Sequence, residues 1–197
     1  MPVTLQSPPM RAEFPDPPRK RWTRDECAAL ESAGVELQRY ELIEGELIRK
    51  MGKHHRHMRA MLRLCIWLRA VFGELAIVQE HSIDVSPEDT PSSEPEPDAI
   101  VLARSGLEFF SNPRPDDIRL LVEVSGSTLA FDLTTKAALY ARAPIAEYWV
   151  LDLNSRRMIV HRDPAQGKYT SISAYSEEEF LSPLAAPSAR VRIGDLL

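Results

Sequence analysis

The sequence has few cysteines, no long apolar run and no excess of basic residues. Cys27 and Cys65 are the only cysteines among 197 residues. They lack CxxC spacing, so we expect two reduced thiols and neither a disulfide framework nor a cysteine metal site. No stretch approaches the roughly 18 to 20 apolar residues of a membrane span, and the start lacks the apolar block of a secretion signal. We therefore expect a cytoplasmic protein with no membrane partner.

The charges are unevenly distributed. A net charge of -5 argues against a broadly basic surface for nucleic acid. From Arg49 to Arg69, however, the chain has seven Lys or Arg, three His and no acid, while acids gather in 74–98 and 177–179. The segment 49–69 is therefore a local candidate for binding anions.

Length and hydrophobic content predict one domain. A chain of 197 residues with 44% hydrophobic residues can bury one sizeable core. Six prolines among the first 18 residues oppose helix and strand, so we predict a mobile leader over 1–20 and a single domain over 21–197. Thr23 and Glu26 have the spacing of a capping box that opens a short helix, which Gly34 would close.

Apolar periodicity then predicts an alternation of strands and helices. The predicted elements are a hairpin over 40–48 turning at Gly45, a helix over 54–72, strands within 75–85, 99–102 and 119–124, a helix over 128–143, a strand over 147–151 and short strands beyond a turn at 152–155. This order predicts an α/β (α+β) fold, a mixed sheet flanked by helices.

The predicted helix over 54–72 has two distinct faces. The three-and-four spacing of Met58, Met61, Leu62, Cys65 and Leu68 predicts the buried face. Arginines at 56, 59 and 63 line another face, which is therefore cationic.

Two carboxylates occupy unusual places in apolar strand patterns. Pro95 and Pro97 favour extended backbone, so Asp98 should enter its strand in a fixed direction. Glu123 lies inside the run LLVEV, which is apolar enough for a central strand. A buried carboxylate costs several kcal/mol unless a cation compensates it, and Mg²⁺ prefers carboxylate oxygen. A structural ion pair with an arginine is the alternative for Glu123.

Lys136 is the candidate cation that would lie beside these two carboxylates. It lies between Asp132 and Tyr140 at helical spacing, so all three project from adjoining parts of one face. If that helix packs on the strand of Glu123, an ammonium joins the two carboxylates. Carboxylates that hold Mg²⁺, with a lysine that orients water or stabilises negative charge, are the layout of metal-assisted hydrolysis. Asp132 is either a helix-surface acid or a partner of Lys136.

Several motifs in a fixed order resemble a known family. They are YELIEGELI, a histidine (His57) at the start of the next helix, SEPEPDAIVL, LLVEVSGSTLAFDLTTKAALYA and AEYWVLDL. Over about 40–195 the chain resembles the Uma-two-type endonucleases of the PD-(D/E)XK nuclease superfamily. The resemblance implies a restriction-endonuclease-like fold.

The resemblance also implies roles for particular residues. Asp98 and Glu123 would bind the metal, Mg²⁺ with Mn²⁺ as a substitute. The lysine usual two residues after the acid is replaced by Ser125, and Lys136 on the next helix would take its part. Glu46 and His57 match further polar positions of the family. The family's usual Gly-Ile-Pro before the last core strand is Ala143-Pro144-Ile145 here.

The basic helix start is the candidate phosphate contact. Positive charge is disfavoured at a helix N-terminus, and a bound phosphate would relieve the conflict. The candidate residues are Lys53, Arg56, His57, Arg59 and Arg63. The alternatives are a solvated charge run and, for His54 and His57 alone, a zinc site.

The sequence thus predicts a Mg²⁺-dependent endonuclease acting on DNA. Its catalytic candidates are Asp98, Glu123, Lys136 and Glu46. A homodimer is compatible, because cutting both strands requires two centres. One rival is a binding module for nucleic acid or protein that keeps the nuclease fold without cleavage. A second is a structural role in which the carboxylates form only ion pairs.

Overall fold

The computed structural model describes residues 19–50, 52 and 54–197, so residues 1–18 of the predicted leader lie outside the described residues. The first helix, α1, spans Arg24–Ser32. Its capping box is confirmed: the Glu26 backbone N–H donates to the Thr23 hydroxyl, and the Thr23 N–H donates to Glu26 Oε2 over 3.0 Å. Both hydrogen bonds satisfy amides that the first helical turn cannot satisfy itself.

The predicted hairpin is a separate two-stranded sheet. Strand β1 spans Tyr40–Ile43 and β2 spans Glu46–Arg49, paired antiparallel. The two turn residues Glu44 and Gly45 both have positive φ, 50° and 80°. This is the backbone that tight hairpins favour, and glycine adopts it without strain.

The core is a mixed sheet of six strands in the order β3-β4-β5-β6-β7-β8. Only β5 and β6 are parallel, as expected for strands joined by a helical crossover. The strands are β3 (Ile77–Gln79), β4 (Ala99–Leu102), β5 (Ile118–Ser125), β6 (Glu147–Asp152), β7 (Arg157–Ala165) and β8 (Lys168–Ser176). Two short strands, β9 (Phe180–Leu181) and β10 (Val191–Arg192), pair near the C-terminus. The predicted mixed α/β architecture is confirmed.

The strand predicted within 75–85 is shorter than expected. Only Ile77–Gln79 is extended and paired, after a 3₁₀ turn at Glu74–Ala76. Glu80 has φ 49°, which ends the strand. Ile83 and Val85 are nevertheless buried, because the loop that follows packs onto the core.

Helices cover both faces of the sheet. Helix α2 (His55–Phe72) packs on one face, and on the other α3 (Leu129–Phe131), a π-helical turn (Asp132–Lys136) and α4 (Ala137–Arg142) follow each other without a break. We call this continuous stretch, 129–142, the composite helix. Among the described residues, no helix combines the length and hydropathy needed to cross a membrane.

The predicted buried face of α2 is partly wrong. Met61, Cys65 and Leu68 are buried, but Met58 and Leu62 are 56% and 60% exposed. At about 100° per residue, Ala60 and Leu64 complete the buried stripe with Leu68, whereas Met58 and Leu62 lie just beyond the edge formed by Cys65. His57 falls within the same inward stripe, so its side chain is directed into the protein.

Candidate active site

A cavity of about 540 Å³ opens where β4 begins and β5 ends. The composite helix, the hairpin and the start of α2 complete its walls. Asp98, Glu123 and Lys136 all line it. Three residues far apart in sequence therefore share one small space.

Asp98, at the entrance to β4, contacts both β5 and α2. Its Oδ2 accepts a 2.8 Å hydrogen bond from the Val124 backbone N–H and lies 3.2 Å from His57 Nε2. The register that pairs Ala99 with Val122 places Asp98 opposite Glu123. Residues opposed in this way project from the same face of a sheet, so the two carboxylates point into the same space.

Glu123 is 5% exposed, and its hydrogen bonds converge on one oxygen. Lys136 Nζ donates to Oε1 over 2.9 Å, and the Tyr140 hydroxyl donates to the same atom over 3.3 Å. Oε2 makes no hydrogen bond within the described residues. One carboxylate oxygen thus remains available to a ligand in the cavity.

Lys136 lies between two carboxylates. Besides Glu123, its Nζ lies 3.0 Å from Glu41 Oε2, and only 4% of the residue is exposed. Glu41 comes from β1, so the ammonium joins the hairpin to the central sheet. This position fixes the amine within the cavity wall.

Burial and charge shift the protonation equilibria of this cluster. Burial raises the pKa of Glu123 well above its ordinary value; Lys136 opposes the shift, and Asp98 and Asp132 add to it. Burial by itself would lower the pKa of Lys136, but Glu123 and Glu41 outweigh burial and raise it. The charged form of Lys136 is therefore favoured, whereas the charged form of Glu123 depends on a nearby positive charge such as that of Lys136.

Asp132 forms a second buried polar cluster beside the first. Its Oδ2 accepts hydrogen bonds from Ser125 Oγ over 2.5 Å and from Thr128 Oγ1 over 2.7 Å. Ser125 ends β5, and Thr128 directly precedes the composite helix. Because Asp132 begins the π-helical turn that ends at Lys136, these bonds help to fix where the lysine emerges. The sequence left the role of Asp132 open, and the structure shows that it is not a surface acid.

The structure does not bring Glu46 into this cavity. Its side chain on β2 is 44% exposed, 3.8 Å from Arg21. Glu41 lines the cavity instead, and sequence reasoning missed it. The signal that could have found it is the one that identified Glu123, a carboxylate flanked by apolar residues in a strand, here in YELI.

Only part of the predicted phosphate contact reaches the cavity. Arg56 and His57 line it, but exposed Arg59 and half-buried Arg63 lie outside it on α2. Lys53 lies outside the described residues. The rim contains further cationic or ionisable residues that were not predicted as contacts, namely Arg49, Lys50 and His54.

The donor set suits Mg²⁺ better than Zn²⁺. In the part of the chain that the structure describes, no group of three or more His, Cys, Asp or Glu is arranged to hold a metal. Zinc takes three or four protein ligands, whereas Mg²⁺ keeps several waters and needs only one or two carboxylates. Asp98 and the available Oε2 of Glu123 fit the second requirement, and the zinc alternative for His54 and His57 finds no third ligand.

Comparisons with known proteins agree with this fold. The sequence pattern of the Uma2 family, described as "Putative restriction endonuclease", matches residues 25–193. A crystal structure from Anabaena variabilis, described as a putative nuclease belonging to DUF820, is similar with a TM-score of 0.63 and 16% identity. The similarity covers 88% of this chain and 96% of that one. No curated protein matches the chain.

Proposed function

The chain belongs to the Uma2 family, and on that premise we propose that it is a Mg²⁺-dependent endonuclease that hydrolyses phosphodiester bonds in DNA. The family match supports a nuclease-like function. The observation that carries the proposal is the convergence of Asp98, Glu123 and Lys136 in one cavity. Two carboxylates can hold a metal that activates water, and an ammonium can stabilise the negative charge that develops on the phosphate.

Asp98 and Glu123 would hold the metal between opposed positions of β4 and β5. The metal would supply a more acidic water and neutralise charge on the phosphate. His57, 3.2 Å from Asp98, orients that carboxylate from the side of α2. The Val124 N–H restrains the same oxygen, so Asp98 is positioned before any ligand arrives.

Lys136 would donate to the oxygen on which negative charge develops. A preorganised donor in a water-poor site contributes strongly to such stabilisation. Glu41 and Glu123 keep the amine charged and restrict its position. Ser125 occupies the place of the usual strand lysine, so the helix supplies the cation that the strand lacks.

The cationic rim would bind the phosphate backbone. Arg49, Lys50 and Arg56 line the cavity mouth, and their contribution is independent of base sequence. Counterion release makes such binding weaken as salt rises.

A homodimer would provide two centres for cutting both strands, and sedimentation velocity tests it.

Cleavage of supercoiled plasmid with Mg²⁺ or Mn²⁺ tests the proposal. We expect cleavage by the wild-type protein and loss of activity for Asp98→Asn, which removes a metal-binding carboxylate. Lys136→Met, assayed well below its own Tm, should lose about 100-fold or more in rate, the scale for removing a preorganised transition-state donor. Glu108→Gln, an exposed carboxylate far from the cavity, is the control and should cleave normally. Cleavage that survives Asp98→Asn would contradict the metal role.

One observation favours a binding module as the second candidate. Lys136 is already engaged by two carboxylates. The resemblance implies that nucleases of this superfamily usually have a lysine two residues after the acid, and Ser125 stands there instead. Wild-type protein that binds DNA but cleaves no substrate with any divalent metal would establish the binding module. Calorimetric titration with Mn²⁺ tests the purely structural alternative, because binding that Asp98→Asn abolishes would exclude it.

A further inference from the structure

The cavity has an apolar wall that hydrolysis does not require. Phe131, at the end of α3, and Ile48, on β2, both line it. Both are half-buried and pack on the core beneath the composite helix, so each exposes only part of its surface. Apolar surface contributes nothing to holding a metal or a phosphate, and it calls for an apolar part of the ligand.

Both apolar residues are tied to the carboxylate and lysine cluster. Phe131 directly precedes Asp132, whose carboxylate is fixed by Ser125 and Thr128. Ile48 pairs across the hairpin with Glu41, which contacts Lys136. The wall is therefore preorganised beside the reacting groups, on elements that those groups already position.

A polar side chain that can hydrogen-bond to a base lies on the rim of the same cavity. The side-chain amide of Gln38 is exposed and makes no hydrogen bond within the described residues. An amide presents one acceptor and two donors, which match the edge of a nucleobase. An aromatic ring, an aliphatic side chain and an amide are together the groups that bind an unstacked base.

The reacting groups are recessed, which restricts the substrate. Glu123 and Lys136 lie in the cavity wall almost without solvent exposure. Bases in an intact duplex are stacked and paired, so none can reach a wall beside these groups unless it first leaves the stack. A single strand reaches the wall without that cost.

We propose that Phe131, Ile48 and Gln38 form a nucleobase subsite, which receives one unpaired base next to the phosphate that is cut. The substrate class is then single-stranded nucleic acid, or a duplex that contains an unpaired nucleotide. This inference rests on the proposed function, because it assumes that a phosphate lies at Asp98 and Glu123.

Binding measurements test the subsite without turnover. Fluorescence anisotropy of a labelled DNA 12-mer, with Ca²⁺ in place of Mg²⁺, compares a single strand, its duplex and the same duplex with one unpaired nucleotide. Wild-type protein should bind the single strand and the interrupted duplex more tightly than the intact duplex. Phe131→Ala should weaken single-strand binding about ten-fold, the scale of one base stacked on a ring, and leave duplex binding unchanged.

Two further variants separate stacking from folding. Phe131→Leu keeps apolar packing but removes the ring, so its affinity should fall between wild type and Phe131→Ala. Phe110→Ala removes a fully exposed ring outside the cavity and should bind like wild type. Thermal melting by circular dichroism shows whether each variant is folded. Single-stranded RNA of the same sequence, measured beside the DNA, shows which of the two nucleic acids supplies the unpaired base.

The outcomes for the subsite and for hydrolysis are distinct. Equal wild-type affinity for single strand and duplex, or unchanged single-strand affinity in folded Phe131→Ala and Phe131→Leu, overturns the subsite. If plasmid cleavage depends on Lys136 but not on Phe131, the proposed hydrolysis is supported and the nucleobase subsite is refuted. Single-strand binding that depends on Phe131 without any cleavage supports the subsite and refutes the nuclease.

Discussion

Replacing Lys136 with methionine should destabilise the protein strongly, whereas replacing Glu123 with glutamine should have little effect. Lys136 contacts Glu123 at 2.9 Å and Glu41 at 3.0 Å, and all three residues are buried. Methionine removes the cation and leaves two carboxylates facing each other without compensation. Glutamine removes one carboxylate and leaves a balanced pair of Glu41 and Lys136.

The magnitude follows from the burial of the pair. Removing one partner of a buried ion pair costs about 3 to 5 kcal/mol, since the other charge stays buried and unpaired. Methionine is similar in length and shape to the lysine stem, so a cavity adds little to this cost. For a domain of this size, the loss corresponds to a fall in Tm of about 6 to 20 °C.

The effect of Lys136→Met should also depend on pH. Burial raises the pKa of Glu123 in the folded protein, and the variant lacks the lysine that opposes this shift. A raised folded pKa means that the folded state favours the protonated carboxyl. The contribution of Glu123 to stability is therefore present at pH values below its unfolded pKa, about 4.3. It is lost as the pH rises toward the folded pKa. The deficit of the variant should be large at pH 8 and smaller at pH 5.

Urea unfolding followed by circular dichroism, with EDTA present, measures the prediction at both pH values. Lys168→Met, on the exposed surface of β8, is the matched control and should unfold like wild type. The double variant Lys136→Met/Glu123→Gln should recover part of the loss. Stability of Lys136→Met within about 1 kcal/mol of wild type at pH 8, well below the cost of an unpaired buried charge, would refute the buried cluster.

Three further predictions each concern a single residue. Asp132→Ala leaves the Ser125 hydroxyl without its acceptor and should lower the free energy of unfolding by about 1 to 3 kcal/mol in urea titrations, with Asp132→Asn less affected. Glu147→Ala removes a fully buried carboxylate that pairs with Arg162 and accepts from the Trp149 indole N–H, so it should lower the free energy of unfolding by about 3 kcal/mol and change tryptophan emission; unchanged emission would contradict the Trp149 contact. Thr23→Ala removes the cap of α1 and should lower stability by about 1 kcal/mol, a loss that Thr23→Ser should largely avoid.

Local sequence rules predicted much of the fold. The capping box at Thr23, the turn at Gly45 and the approximate limits of α2 and β5 each depend on neighbouring residues. The sequence also predicted that Asp98 and Glu123 lie close together. Glu123 interrupts an apolar strand and Asp98 directly precedes one, and a buried charge implies a partner.

The remaining features depend on tertiary contacts. Whether Met58 or Leu64 faces the sheet depends on how α2 is rotated, and both satisfy helical spacing. Glu41 and Glu46 lie on one hairpin with similar apolar neighbours, and only the docking of that hairpin selects Glu41. The sequence predicted an uninterrupted helix over 128–143, without the π-helical turn at Asp132–Lys136.

The hairpin and the central sheet are separate sheets, yet Lys136 is bonded to a carboxylate from each. The integrity of the reactive centre is therefore linked to the attachment of a small peripheral unit. If the hairpin detaches, the Lys136 ammonium loses its contact with Glu41 and keeps only its contact with Glu123. Under the proposed function, a chain whose hairpin has not docked would therefore lack the positioned ammonium that hydrolysis needs.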